Sequence, residues 1–406
     1  MWHLSDPRTR RLFLLFLAAY VVFGATFTVI GAAIPQIIST FQWSYAITGF
    51  VAAANAAGYV LSTFLCGFLV KRFAPKTVLV TGLLLGAVGM SLFARTGSPW
   101  LNFFLGLAIG LCQGSIEVVC TLEVIHMERT GQSRLLNLMH AFFCLGAIIG
   151  PACVGLLVGG GMSGSVSVFM ATSGLAALVA LLFGLSAFPR TNVEPAGGRN
   201  EGEGLLRNPL LLLLTVYLLL YVGAENGFST WVSEYFVRFL GTAAPVGAFS
   251  VSLFWGGLLT GRLAISFSYH GNRQEYIMLG ISLLGAAALA AMLLAHAPAA
   301  VAACVFFTGL GFSGLYPLAM AVVGRHFKSG VAVGTAATGG GIGSFTFPFL
   351  MAILAQRLGI QGGFFLCLGL SMILAVFSLV LIRRLRRFTP PGPGPRSGEE
   401  RTSSRA

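Results

Sequence analysis

Apolar residues run along this chain in stretches of about twenty, the length of a bilayer-spanning helix, separated by short clusters of Arg, Lys, Pro, Gly and Ser. The stretches fall at 12–34, 43–70, 77–93, 100–124, 136–157, 166–188, 209–235, 245–267, 277–296, 299–323, 331–354 and 364–382. Pro35, Pro75, Pro99, Pro189, Pro209 and Pro298 mark the clearest breaks between them, since proline interrupts a helical hydrogen-bond ladder. The pattern predicts an all-α membrane protein with twelve transmembrane helices. One polar stretch, Pro189 to Asn208, divides them six and six. It gives an N-terminal bundle over 1–188, a linker over 189–208 and a C-terminal bundle over 209–388. A tail over 389–406, rich in Pro, Gly, Ser and charge, reads as disordered. The bundles are weakly alike: Gly146, Gly150 and Pro151 in the fifth span answer Gly339, Gly340, Gly341, Gly343 and Pro348 in the eleventh. Two such pseudo-symmetric halves with a site between them are the build of an alternating-access carrier.

Composition supports the pattern. Of 406 residues, 56% are apolar and only 9% charged, too few charges to cover a water-facing surface. Aperiodic glycine, sparse cysteine and high hydrophobicity exclude collagen, disulfide scaffolds and disordered chains. The net charge of +13 would suggest nucleic acid in a soluble protein, but its placement says otherwise. When the connections are assigned alternately to two sides, every Lys and Arg except Arg95, Arg238 and Arg357 falls on the side of the termini. The positive-inside rule then places both termini in the cytoplasm. Arg8 to Arg11 followed by 12–24 has the look of a signal peptide, yet no small-x-small site follows, and the segment reads as the first span. The seven cysteines lie in apolar stretches without metal-ligand spacing and read as packing residues.

Charged groups at a helix centre cost about 2.5–3.5 kcal/mol on insertion scales, so each one inside a span calls for a reason. Glu117 lies deep in the fourth span, Glu225 near the middle of the seventh and His140 inside the fifth. One reading makes the two acids proton or cation carriers in a central cavity; the other makes them structural partners of His140, Arg134 or backbone groups. His140 fits a ligand role or a fixed interhelical bond equally. Glu123, His126 and Glu234 lie nearer the surfaces and read as interfacial or gate residues. Gln113, Asn137 and Asn226 are amides able to bond hydroxyl groups. Phe228 and Trp231 share a helix face with Tyr235, which suits a sugar ring or, alternatively, an aromatic belt at the membrane interface. Gly309-x-Gly311-x-x-Gly314 follows no strand and reads as helix packing rather than a dinucleotide fingerprint. Glu123-x-x-His126 has no second copy to complete a di-iron site. No phosphate loop or nucleophile elbow occurs, so no enzyme is expected.

The six-plus-six plan, the loop from Gly67 to Lys76 and the Gly150-Pro151 pair resemble the major facilitator superfamily over nearly the whole chain. Gly110 to Glu117, Leu136 to Phe143 and Tyr221 to Glu225 with Trp231 are similar to its fucose–galactose–glucose symporter branch. That resemblance implies monosaccharide uptake coupled to a proton or sodium ion. Glu117 would match a coupling carboxylate, while Asn137 and His140 would match a stretch facing the sugar. The chain departs from the branch at three points. Gly31 stands where fucose permease has an acid before Pro35, Thr121 replaces an asparagine, and Lys71 and Ala74 alter the loop motif. Glu225 would then replace the missing acid from the opposite half.

The expectation is a secondary transporter with Glu117 and Glu225 handling the ion and Gln113, Asn137, His140, Asn226, Phe228 and Trp231 around the substrate. Its expected partners are a small molecule, a proton or sodium ion and lipid, with no cofactor, metal or nucleic acid. The expected setting is a bacterial inner membrane, as a monomer. An exporter of amphipathic compounds by proton antiport is a rival, suggested by Gly146-x-x-x-Gly150-Pro151. A membrane sensor that binds without transporting is another.

Overall fold

In the computed structural model, residues 6–127, 134–186, 188, 205–268, 274–327 and 330–388 are described. The expected linker except for its last residues, and the whole expected tail, lie outside them. Among the described residues the secondary structure is entirely helical, and eleven helical stretches are long and apolar enough to cross a membrane.

The helices are α1 (Pro7–Phe41), α2 (Tyr45–Arg72), α3 (Pro75–Leu92), α4 (Pro99–Met127), α5 (Arg134–Leu157) and α6 (Met162–Leu185). They are followed by α7 (Pro209–Glu234), α8 (Ala244–Ser268), α9 (Gln274–Leu294), α10 (Pro298–Phe312), α11 (Leu315–Phe327) and α12 (Gly330–Phe388). Short connections join α1 to α2, α2 to α3 and α3 to α4. We call the end of the bundle where α1 starts the near end, and the end where α1 finishes the far end.

Four of the expected proline breaks, Pro75, Pro99, Pro209 and Pro298, stand at the first position of a helix, where the missing N–H costs nothing. Pro35 does not break the chain. It sits inside α1, which continues to Phe41; its fixed φ is helical, and only the bond to the Gly31 carbonyl is lost. Pro151 and Pro348 likewise lie within helices. The tenth apolar stretch, expected to be continuous, is interrupted at Ser313 and Gly314 between α10 and α11. Pro317, just beyond, has no N–H for the Ser313 carbonyl.

The long α12 is two helices joined at Gly359, whose φ of 76° belongs to the left-handed region that glycine enters without a Cβ penalty. The chain doubles back there, because Gly363 lies against the Met351 carbonyl and the Ala355 side chain. Along one straight helix residues 351 and 363 would be ~18 Å apart.

Asp6 caps α1, its carboxylate accepting from the backbone N–H groups of Arg8 (3.2 Å) and Thr9 (3.1 Å) and from the Thr9 hydroxyl (2.8 Å). These bonds, that from the Thr9 side chain foremost, hold its carboxyl below the ordinary aspartate range.

Helices α1 to α6 pack mainly on one another, as do α7 to α12, with the halves meeting through α1 on α7 and α8, α2 on α12, and α5 on α8. Gly309 and Gly311, the supposed fingerprint, serve helix packing: they lie against the Phe254 carbonyl and Gly285. The cysteines are free, and Cys66, Cys112, Cys120, Cys144 and Cys367 are buried in the apolar core.

Candidate functional site

The interior acids lie along the seam between the halves. Glu117, on α4, accepts a hydrogen bond from the Tyr59 hydroxyl of α2. Beside it Tyr20 of α1 shares a hydroxyl contact with Thr121 at 3.1 Å and meets the His140 ring edge-on, with centroids 5.5 Å apart. From the opposite half Tyr316 lies within the electrostatic reach of Glu117, Glu225 and Arg262. Glu225 is buried on α7, with Arg262 its charged neighbour. Among the described residues neither Glu117 nor Glu225 has an ion-pair partner, whereas Glu234 pairs with Arg238 at 3.1 Å. Two acids thus share a polar, largely desolvated region with the Arg262 guanidinium.

Arg262 is the surprise of this region. Sequence alternation counted it among the surface charges of the near end, but the structure draws it inward. Its Nε donates to the Ser313 carbonyl at 3.1 Å, and its Nη1 contacts the Cys144 sulfur of the opposite half at 3.5 Å.

A second group of polar residues surrounds a small cavity of about 40 Å³ at the seam, lined by Thr28, Asn55, Asn226, Ser229, Thr230 and Ser344, with Phe27 on one wall. The lining is neutral and rich in hydroxyl and amide groups. The Asn55 Nδ2 is buried with no hydrogen-bond partner among the described residues. An unpaired buried donor costs roughly 1–3 kcal/mol, a cost that a ligand or water acceptor would remove. The volume holds a few waters, so a larger guest requires the seam to open.

Of the other expected site residues, Gln113 is fully buried; its amide donates to the Thr26 hydroxyl at 3.3 Å, and its Oε1 lacks a partner among the described residues. Phe228 is packed between Phe254 and Phe364 at 4.7 and 5.5 Å, in the core of the second half rather than on the cavity wall. Trp231 donates from Nε1 to the Pro348 carbonyl at 3.0 Å and meets Tyr45 edge-on at 5.8 Å. The side chains of Asn137 and His126 lie outside the described residues. Glu123 is buried on α4.

Tyr59, Asn55, Tyr316, Tyr20 and Arg262 were missed from sequence. Asn55 and Tyr59 carried a signal, an amide and a phenol four residues apart on one face of an apolar helix. Arg262 carried another, a cation within an apolar stretch.

Toward the far end the halves are clasped. Tyr45 donates its backbone N–H to Gln356 Oε1 (2.9 Å) and its hydroxyl to Glu234 Oε1 (3.1 Å), while the Ser233 hydroxyl reaches the Ala32 carbonyl (3.1 Å). Nearer mid-depth the Ser252 hydroxyl donates to the Ile148 carbonyl at 2.8 Å. The Arg262 contact with Cys144 also crosses the seam. Glu234 thus joins the two halves at the far end through Tyr45 while pairing with Arg238. Because a hydrogen bond to a charged group contributes about 1.5–3 kcal/mol, Tyr45→Phe is expected to loosen the clasp. A cysteine placed at Gln36, buried on α1, should then react with a far-side maleimide about tenfold faster than in the parent protein.

A family model described as Major Facilitator Superfamily matches residues 16–267 and 239–405. A glucose/galactose transporter of Brucella abortus is 25% identical, the match spanning 86% of this chain and 88% of that protein. Bypass of stop codon protein 6 of Saccharomyces cerevisiae is 24% identical over 89% of this chain and 80% of its own length. Among solved structures, the nucleoside transporter NupG superposes with a TM-score of 0.73 at 14% identity, covering 94% of this chain and 100% of that one. A D-xylose-proton symporter gives 0.72 at 12% identity, covering 91% and 97%. At these identities the structural likeness concerns the fold.

Proposed function

The chain belongs to the Major Facilitator Superfamily of transporters, and on that premise we propose that it takes up a monosaccharide together with a proton or sodium ion. The observation that carries this reading is the Glu117 carboxylate, held at the seam by Tyr59 and without a cationic partner among the described residues. A buried acid in that position has a reason to bind a small cation and to release it when access changes. The neutral amide and hydroxyl lining of the adjacent cavity suits a polyhydroxylated, uncharged substrate. The transported class in the names of the Brucella relative and the xylose symporter agrees with it.

In this reading the chain crosses the membrane twelve times as two six-helix halves, with the near end in the cytoplasm of a bacterium. The far-end clasp closes the outer side. Glu117 carries the coupling ion, Glu225 provides the second acid, and Asn55, Asn226, Gln113, Asn137 and His140 serve the substrate. Trp231, bonded to the carbonyl of the cavity-lining Pro348, and Phe228, in the core behind, hold the second half's face of the site in place. A membrane potential supplies ~2.3 kcal/mol per charge per 100 mV, enough for about fifty-fold accumulation.

Uptake into proteoliposomes tests the proposal. Labelled glucose, galactose and xylose are offered with an inward proton or sodium gradient, and accumulation above the outside concentration is expected for at least one sugar. Outward movement of amphipathic compounds against sugar silence would establish the rival exporter, and saturable binding without flux the sensor. Asn55→Leu keeps the branched side-chain shape and removes the unpaired donor. It is expected to raise KM for the transported sugar tenfold or more; an unchanged KM removes Asn55 from the substrate site.

A further inference from the structure

The break between α10 and α11 and the interior position of Arg262 are one device. In an unbroken helix the Ser313 carbonyl would accept from the N–H of residue 317, but that residue is Pro317 and has none. Arg262 Nε, 3.1 Å away, takes the place of the missing donor. The next bond of the ladder, from the Leu318 N–H to the Gly314 carbonyl, is present at 3.0 Å. A guanidinium is therefore planted in the broken helix of the second half, with its free arm on Cys144 of the first half at 3.5 Å.

The groups within electrostatic reach of Arg262 come from several elements. They are His140 and Cys144 on α5, Glu225 on α7 and Tyr316 on α11. Tyr316 also feels Glu117, and Glu117 in turn acts on Tyr20 and Tyr59. With Glu117 protonated and Glu225 ionised beside Arg262, the two charges balance and the region is neutral. With Glu117 ionised, the region holds one net negative charge in a poorly solvated setting, where an uncompensated charge is costly. A thiol is a weak hydrogen-bond acceptor and competes poorly with a carboxylate for a guanidinium.

We propose that Arg262 is the positioning residue that couples the ion to the seam. It holds Cys144 across the halves while Glu117 is neutral, and leaves Cys144 for the acids when Glu117 loses its ion. The inference rests on the proposed role of Glu117, and it adds a physical link between that role and the contact of the halves. A neutral donor on the Ser313 carbonyl would not supply this link, since it has no charge for the acids to attract.

Two measurements test it. The first needs no substrate: alkylation of Cys144 by a membrane-permeant maleimide, in a chain whose other cysteines are replaced by alanine. Glu117→Gln should slow the reaction severalfold, by raising the share of molecules in which the Arg262–Cys144 contact is closed. Arg262→Gln should speed it at least tenfold and erase the effect of Glu117→Gln. The second is gradient-driven uptake. Arg262→Gln should lose accumulation while counterflow exchange persists, and Arg262→Lys, which keeps the charge, should retain part of the accumulation. Parent alkylation rates in Arg262→Gln, or accumulation at the parent level in a folded Arg262→Gln variant, would overturn the proposal. Absence of any cation-driven uptake by the parent protein would instead reject the symport reading, with the alkylation result still deciding the fate of the clasp.

Discussion

Replacing Glu117 by glutamine is expected to abolish gradient-driven accumulation while leaving sugar exchange across the membrane within about twofold of the parent rate. The carboxamide is nearly isosteric and its oxygen still accepts from the Tyr59 hydroxyl that now bonds Glu117. What it lacks is the ability to take up and release a proton or to neutralise a sodium ion. The variant mimics the ion-loaded state permanently, so substrate binds and the halves rock, but no ion flows downhill. At a potential of 100 mV the internal-to-external ratio is expected to fall from as much as about fifty to about one. The measurement is labelled-sugar uptake into proteoliposomes with and without an imposed gradient, alongside counterflow from preloaded vesicles. Accumulation at the parent level would remove Glu117 from ion coupling, and loss of counterflow would assign it to substrate binding or folding instead.

Gly24→Val is expected to have the largest effect on the fold. Helices α1 and α5 cross through reciprocal glycines: a Cβ at Gly24 would fall on the Phe143 carbonyl, and one at Gly146 on the Val21 carbonyl. In lipid, where water does not drive helices together, such backbone approach is a chief source of association. The obstruction here is main chain, which cannot turn aside as a flexible side chain can, so the cost lies at or above the upper end of the ~1–3 kcal/mol of ordinary overpacking. The expected outcome is loss of monodisperse protein in detergent, or a Tm lower by many degrees in a thermal-shift assay. Gly174→Ala is the control: that glycine lies within α6 with open space around it, and its Tm should hold or rise slightly, given the better helix propensity of alanine. Equal stability of the two variants would show that the α1–α5 crossing tolerates wider spacing.

Much of this was legible from one sequence because the bilayer imposes a length on every spanning element. Apolar stretches marked the helices to within several residues, and Pro75, Pro99, Pro209 and Pro298 marked helix starts. Pro35 misled, since a proline fits inside a helix when the one orphaned carbonyl is tolerated. The interior acids Glu117 and Glu225 stood out because a charge in an apolar stretch is expensive wherever it points. Tyr59, Asn55 and Tyr316 did not stand out, because phenols and amides are common in membrane helices and acquire a role only from what faces them. Phe228 shared a face with Trp231 in the helical pattern, yet the packing of Phe254 and Phe364 around it depends on helices remote in sequence.

The chain by itself determined its helical class and the two acids within apolar stretches, for these follow from hydropathy and spacing, while its motifs carried the resemblance to a transporter superfamily. Only the folded arrangement decided that Arg262 leaves the near-end charge layer for the broken helix, that Asn55 and Asn226 meet at one cavity, and that Tyr45 and Glu234 clasp the far end. Those pairings join residues far apart in the sequence. No periodicity encodes them, because they arise when helices from different parts of the chain exclude lipid and must satisfy one another's polar groups.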